Sequence, residues 1–319
     1  MGRGRFLGLD ALRGIAAVLV VANHAIESVV PGTLDRFDLG RFGVVLFFLI
    51  SGFVIPLSFS GSRPIERFAI SRATRLLPAL WLSIFIAILW KGPVPPPTLA
   101  GNMLMIATPL NQENLCGCYW TLSYELGFYF FCAITFAAGM LYDLRLVVLQ
   151  AIAFLALTLI ALPNQTLLFF VYMLIGLLLG KAYRNRDRSA AIWSGVLIAG
   201  LLATLVKLGL TPGPFQGAPG TTIAMIAPLP LFLVVLWRNP DPPTWLIWLG
   251  RVSYSAYLFQ EIGLNALAPL KTPAPLLYVP AVIALTLLIA HFVYRFVEAP
   301  GIAFGRTLIT RRSKVVAPA

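Results

Sequence analysis

Charge is scarce in this sequence. Asp, Glu, Lys and Arg make up 11% of its 319 residues, against about a quarter in soluble domains. With 59% hydrophobic residues and a mean hydropathy of +0.86, that scarcity excludes an ordinary soluble domain and marks an integral membrane protein. Cysteine is scarcer still, with three residues. Cys116 and Cys118 are separated only by Gly117, too close for an easy bridge, and Cys132 stands alone, so no disulfide framework is expected. Neither close cysteine has a zinc-type partner nearby, and no metal is expected. No internal repeat and no low-complexity linker divides the chain, so it reads as a single membrane domain over 1–319. A secretory signal peptide does not fit the N-terminus, whose apolar run is too long and itself charged.

The net charge of +12 would suit nucleic-acid binding, but its distribution points elsewhere. Of the 24 Lys and Arg, 18 fall in alternate loops or at span ends facing them, five on the opposite side, and Arg13 inside a span. That asymmetry is the positive-inside pattern and places both termini in the cytoplasm. The fold expected is all-α, a polytopic membrane helix bundle of about ten transmembrane helices. The spans read as 7–30, 42–59, 76–90, 119–140, 144–162, 166–182, 190–210, 221–237, 245–270 and 276–296, with a basic cytoplasmic tail at 297–319. The longest connection, Lys91 to Cys118, lies outside and leaves open whether its apolar piece at 99–110 dips into the membrane.

The first span carries the strongest functional signal. LGLDALRGIAAVLVVANHAIESVV is long enough to cross a hydrocarbon core of about 30 Å, yet it holds Asp10, Arg13, His24 and Glu27. At about 100° per residue these four share one stripe, with Arg13 and His24 about 16 Å apart along the axis. Such groups cost on the order of 2.5–3.5 kcal/mol each at the bilayer centre, so they face protein or water and serve a purpose. His24 lies six residues short of the outer end of its span, and Glu125 six residues after the start of the fourth. Both depths are about 9 Å. A carboxylate that polarises an imidazole makes a better general base, so His24 and Glu125 are the candidate catalytic pair, a structural ion pair being the plainer alternative. On the inner side Arg72 and Arg75 share a face at the entrance to the third helix. Their forked guanidinium groups suit phosphate, although orientation alone also demands Arg there. Ser51 and Gly52, in FFLISG, offer a hydroxyl and a close-approach position.

Together these segments resemble acyltransferase family 3, the bacterial integral-membrane O-acyltransferases. LDALRGIAAVLVVANH, with Arg13 and His24 ten residues apart, is similar to the family's first-helix signature. FFLISGF, SRATRLLP, WTLSYELGFYF, LGRVSYSAYLFQ and YRFVEAP resemble its further motifs in the family's order, from about Phe6 to Pro300. Short chains of the WTLSYE type look most like exopolysaccharide acetyltransferases of the succinoglycan type. One departure is Gln260, which stands where many relatives carry His, and no role is carried to it.

The resemblance implies transfer of an acyl group, commonly acetyl, from cytoplasmic acyl-CoA to a sugar hydroxyl presented in or outside a bacterial inner membrane. Arg72 and Arg75 would take the CoA phosphates, with Arg13, Asp10 and Ser51 along the path of the donor. His24, oriented by Glu125, would deprotonate the acceptor hydroxyl or carry the acyl group itself. Trp120, Tyr124 and Tyr129, taken as near the outer mouth, would stack on a carbohydrate or lipid-linked glycan, or belong to the interfacial aromatic belt. The expected partners are acyl-CoA, that acceptor and membrane lipids. A proton-coupled transporter is the competing class, since buried charges also suit a permease. The missing repeat symmetry and an Arg pair at only one mouth favour the enzyme.

Overall fold

The computed structural model describes residues 6–32, 37–160, 165–210 and 219–315. Parts of the outer loop at 33–36, the end of the fifth expected span at 161–162, most of the uncharged Gly/Pro loop at 211–218 and the last four residues of the tail lie outside the described residues. All regular elements described are helical. They are α1 (Leu7–Val29), α2 (Leu39–Val54), a short turn at Pro56–Ser58, α3 (Pro64–Lys91), α4 (Pro96–Met103), α5 (Trp120–Ala137), α6 (Leu144–Ile160) and α7 (Gln165–Asn185). After these come α8 (Arg188–Leu210), α9 (Pro219–Ile226), α10 (Pro228–Arg238), α11 (Thr244–Ala266), α12 (Pro275–Val293) and α13 (Ala299–Val315).

Seven helical stretches among the described residues are long and apolar enough to cross a membrane: α1, α2 with its following turn, α3, α7, α8, α9 with α10, and α12 with α13. The expected ten spans are not reached by that measure. Helix α6 has only 17 residues. Helices α5 and α11 carry the polar groups that face the interior, among them Glu125, Ser253, Ser255 and Gln260, and these dilute their apolar character.

The surface supports the membrane reading. Trp81, Phe85 and Leu89 form an exposed stripe at helical spacing along α3, and Leu276, Leu288, Phe292 and Phe296 are exposed along α12 and just beyond it. A soluble protein would bury such stripes, whereas lipid accepts them. The chain is thus a multi-pass membrane protein.

Helix α3 begins twelve residues earlier than the span expected at 76–90. Pro64 occupies its first turn, where a missing N–H costs nothing. Arg72 and Arg75 therefore stand inside a helix of 28 residues, not at its mouth. The expected tail is a helix as well. Helix α12 passes through a π-helical turn, Tyr294–Glu298, into α13. Pro78 cannot donate to the Thr74 carbonyl one turn back, and α13 packs at that spot: a methyl on Gly301 would overlap the Thr74 carbonyl oxygen.

Two close helix pairs organise the interior. Helix α1 packs against α2, α11 and α12, and α2 packs against α7. Side chains on Gly14 or Gly250 would collide with the facing backbone of α11 or α1. Gly52 likewise faces the Met173 carbonyl of α7, and Gly176 faces the Leu49 carbonyl of α2. Small residues let membrane helices approach to backbone contact, where dispersion is strongest. Helix α7 is buried through Leu168–Leu179 apart from Phe170, so it serves as the central post of the bundle.

Because the obstacle at Gly52 is backbone, no rotamer change can relieve it. Gly52→Leu should force α2 and α7 apart and lower stability by about 1–3 kcal/mol or more. Thermal unfolding of the detergent-solubilised protein measures this. Gly195→Ala, where a methyl meets nothing within 4 Å, should leave the midpoint unchanged or raised.

Candidate active site

The site is built where α1, α2, α5 and α11 face one another. Arg13, Ser51, Glu125, Ser253, Tyr254 and Tyr257 line one cavity of about 510 Å³, together with Phe47 and Phe48 of α2. Three residues expected from separate parts of the chain, Arg13, Ser51 and Glu125, thus meet in one space.

Around this cavity lies a cluster of opposite charges. Arg13 is within electrostatic range of Arg75, Glu125, Asp10 and Arg72. Glu125 accepts a hydrogen bond of 2.5 Å from the Tyr129 hydroxyl. Arg72 donates to the Ser58 hydroxyl at 3.0 Å and stacks over the rings of Phe68 and Tyr129. Its Nε is buried with no hydrogen-bond partner among the described residues. Arg75 reaches Glu298 at 3.6 Å. Glu298 is fully buried and accepts a second bond, 3.0 Å long, from the Ser255 hydroxyl of α11. The π-helical turn inserts one extra residue per turn and so directs Glu298 inward.

Glu298, Tyr254, Tyr257 and Gln260 received no role from sequence reasoning. The signal for three of them lay in the spacing of LGRVSYSAYLFQ, whose Tyr254, Tyr257 and Gln260 fall three apart on one helical face. Glu298 lay within the motif YRFVEAP, but no spacing showed its direction, because only the π turn aims it at Arg75.

The expected pairing of His24 with Glu125 is not made. His24 Nδ1 lies 2.9 Å from Gln260 Oε1, and among the described residues no hydrogen bond or ion pair joins it to Glu125. The cause is the depth of α5. Ser83 lies eight residues, about 12 Å, below the outer end of α3. Its hydroxyl is 2.5 Å from that of Tyr119, the residue just before α5. Cys118 Sγ donates to the Tyr257 carbonyl, and Thr121 meets the Tyr257 hydroxyl at 2.6 Å. Helix α5 therefore starts well inside the bundle. Glu125, five residues on, lies deeper than His24 and level with the arginines.

The same displacement moves the aromatic residues. Tyr129 is not at an outer mouth: it is buried under Arg72 and bonded to Glu125. Trp120 and Tyr124 pack on each other and on Phe169, their ring centroids 5.5–5.7 Å apart. Tyr124 also meets Phe48 edge-on at 6.4 Å.

Gln260 is itself oriented, since its Nε2 donates to the Tyr257 carbonyl at 2.9 Å. That leaves Oε1 as the acceptor facing His24, so Nδ1 is the ring nitrogen that donates and Nε2 is the one left outside this contact. No group of three His, Cys, Asp or Glu side chains placed to hold a metal occurs among the described residues.

A bundle of apolar helices around an internal arginine–carboxylate cluster defines a multi-pass membrane protein with a charged interior. The chain belongs to acyltransferase family 3: the family model described as an acyltransferase domain matches residues 6–295. No curated protein and no solved structure matches it.

The Arg75–Glu298 pair tests how far the interior depends on charge balance. Glu298→Ala leaves a guanidinium that is three-quarters buried without its carboxylate. It should cost on the order of 1–3 kcal/mol in thermal unfolding, less than a fully buried pair because Arg75 keeps some solvent. Glu298→Gln, which still accepts from Ser255, should cost less than Glu298→Ala.

Proposed function

We propose that this chain transfers an acyl group, acetyl in the simplest case, from cytoplasmic acyl-CoA to a hydroxyl of a cell-surface or exopolysaccharide sugar. The observation that carries the reading is Arg13 on the wall of the cavity with Arg72 and Arg75 within electrostatic range of it, and a buried N–H of Arg72 left unused among the described residues. Cations held inside an apolar bundle call for an anionic ligand, and guanidinium forks suit phosphate. The excess of Lys and Arg on the same side as Arg72 supports a cytoplasmic donor mouth and cytoplasmic termini in an inner membrane. Helices α5, α6 and α11 complete ten crossings in this proposal.

In the proposed reaction the phosphates of acyl-CoA rest on Arg72 and Arg75, and the pantetheine arm passes Arg13 and Ser51. Asp10 and Glu125 keep Arg13 electrically balanced. His24 Nε2 removes the proton of the acceptor hydroxyl while that oxygen attacks the thioester carbonyl carbon. The C–S bond breaks, the ester remains on the sugar, and the CoA thiolate takes the proton from His24. Gln260, rather than Glu125, orients the imidazole. A neutral amide fixes the tautomer without the electrostatic lift that a carboxylate gives.

Arg72→Ala and Arg75→Ala should each weaken acyl-CoA binding by about tenfold or more, since each removes a charged hydrogen bond to phosphate. Calorimetric titration of the solubilised protein measures this, and unchanged affinity in both variants refutes the donor site.

The His24–Gln260 unit has its own test in purified transfer assays. His24→Ala should abolish most transfer, and Gln260→Ala should lower kcat by about tenfold or more by freeing the wrong tautomer. Gln260→Glu places a carboxylate beside the imidazole, favours its protonated form and should move the acidic limb of the pH–rate profile upward. An unshifted profile together with an active Gln260→Ala variant would remove Gln260 from the mechanism.

A further inference from the structure

A second recess opens at the inner end of the bundle, with a volume of about 340 Å³. Its floor is apolar, made by Phe53 and Leu57 after α2 has crossed, and by Leu177 of α7. Its rim is basic and polar: Lys181, Arg184 and Asn185 lie three and four residues apart on the last turns of α7 and therefore share one face. Gly180 keeps the floor open, because a methyl there would press the Phe53 ring at 3.2 Å.

The two cations on this rim differ in availability. Lys181 is committed: it donates to the Tyr142 carbonyl at 2.9 Å and pairs with Asp187 at 3.5 Å. Arg184 is exposed and makes no hydrogen bond or ion pair among the described residues. Position also sets this recess apart from an ordinary basic loop. The Tyr142 hydroxyl, on the recess wall, donates to the Pro56 carbonyl at 2.7 Å. Two residues later Ser58 accepts from Arg72 at 3.0 Å. Arg184 and Arg72 thus both border the same three-residue turn, Pro56–Ser58: Arg184 shares the recess with Pro56 and Leu57, and Arg72 bonds Ser58.

We infer that this recess binds the nucleotide end of the donor, with the 3′-phosphate on Arg184 and the adenine against the apolar floor. This rests on acyl-CoA being the donor, as proposed above. Coenzyme A carries phosphate at two separate places, the pyrophosphate and the ribose 3′-position, with a flat base beside the second. The protein offers two basic loci bordering one short turn; at the first the aromatic rings of Phe68 and Tyr129 are covered by Arg72 itself, whereas the second has an apolar floor beside its arginine. Arg72 and Arg75 then hold the pyrophosphate, while Arg184 reads the 3′-phosphate by its forked N–H groups. An anionic lipid headgroup presents the same phosphate chemistry at this depth, and the test separates the two sources.

The full-length protein in detergent would be titrated with CoA, 3′-dephospho-CoA and 4′-phosphopantetheine, as wild type, Arg184→Gln and Arg72→Ala. The wild type should prefer CoA to 3′-dephospho-CoA by about tenfold or more. Arg184→Gln should erase that preference while keeping the 3′-dephospho-CoA affinity. Arg72→Ala should instead weaken all three ligands and keep the preference. A wild type that binds both CoA forms equally, or an Arg184→Gln protein that still discriminates, overturns the assignment while leaving the donor reading intact. Failure of the wild type to bind any of the three defeats the donor reading and this inference together. Repeating the titration in phosphatidylcholine bilayers with and without phosphatidylglycerol completes the test. A preference for CoA that vanishes when the anionic lipid is added would reassign the recess to lipid headgroups.

Discussion

The structure depends on charge balance in a place with little water. Three guanidinium groups, Arg13, Arg72 and Arg75, gather with three carboxylates, Asp10, Glu125 and Glu298, among helices that are otherwise apolar. An ionised group left alone there would cost several kcal/mol, so every element that supplies one is placed where a partner can reach it. This explains features that look unrelated. The π turn after α12 aims Glu298 at Arg75, and α3 extends well beyond its apolar part so that Arg72 and Arg75 stand inside the helix. The glycine contacts of α1 with α11 bring the Asp10–Arg13 turn against the helix that carries Tyr254 and Tyr257.

The same constraint governs the irregular chain between α4 and α5. A segment without helical hydrogen bonds can lie below the outer helix ends only if protein satisfies its backbone. Asn102 does much of this, donating to the Thr98 and Glu113 carbonyls and accepting from the Leu115 N–H. Lys91 donates to the Leu115 carbonyl, Glu261 accepts from the Gly117 N–H, and the Tyr257 hydroxyl donates to the Cys118 carbonyl. The ion pair of Lys91 with Glu261 closes the arrangement over the segment. With its polar groups paired, the segment delivers α5 from inside the bundle, and Glu125 arrives among the arginines.

His24 is consequently separated from the carboxylate that its depth suggested. It shares α1 with Arg13 but is held by Gln260, one turn beyond the Tyr257 that lines the cavity. The candidate site has two levels: a charge cluster around Arg13, Arg72 and Arg75, and an imidazole held by an amide nearer the other end of α1.

Much of this was legible in the residues alone. Low charge, long apolar runs and basic alternate loops are properties of composition and order, so the membrane class followed from them, and the run of motifs carried the family. The stripe of Asp10, Arg13 and His24 could be read because helical geometry within one span needs no knowledge of its neighbours. The number of membrane-length helices could not be read as well, since α5 and α11 trade apolar residues for the interior polar groups. Contacts between helices were decided by the tertiary structure. Depth along α5 depends on how 92–119 folds, and that depends on Asn102, Lys91, Ser83 and Tyr257 from three separate helices. The partner of His24 depends on the rotation of α11, which close glycine packing sets. The inward turn of Glu298 depends on one extra residue in a helix, a local change that leaves no periodic trace. Sequence determines which side chains can carry charge across a membrane. Only the packed bundle decides which of them meet, because pairing is settled by distances of a few ångströms between segments far apart in the chain.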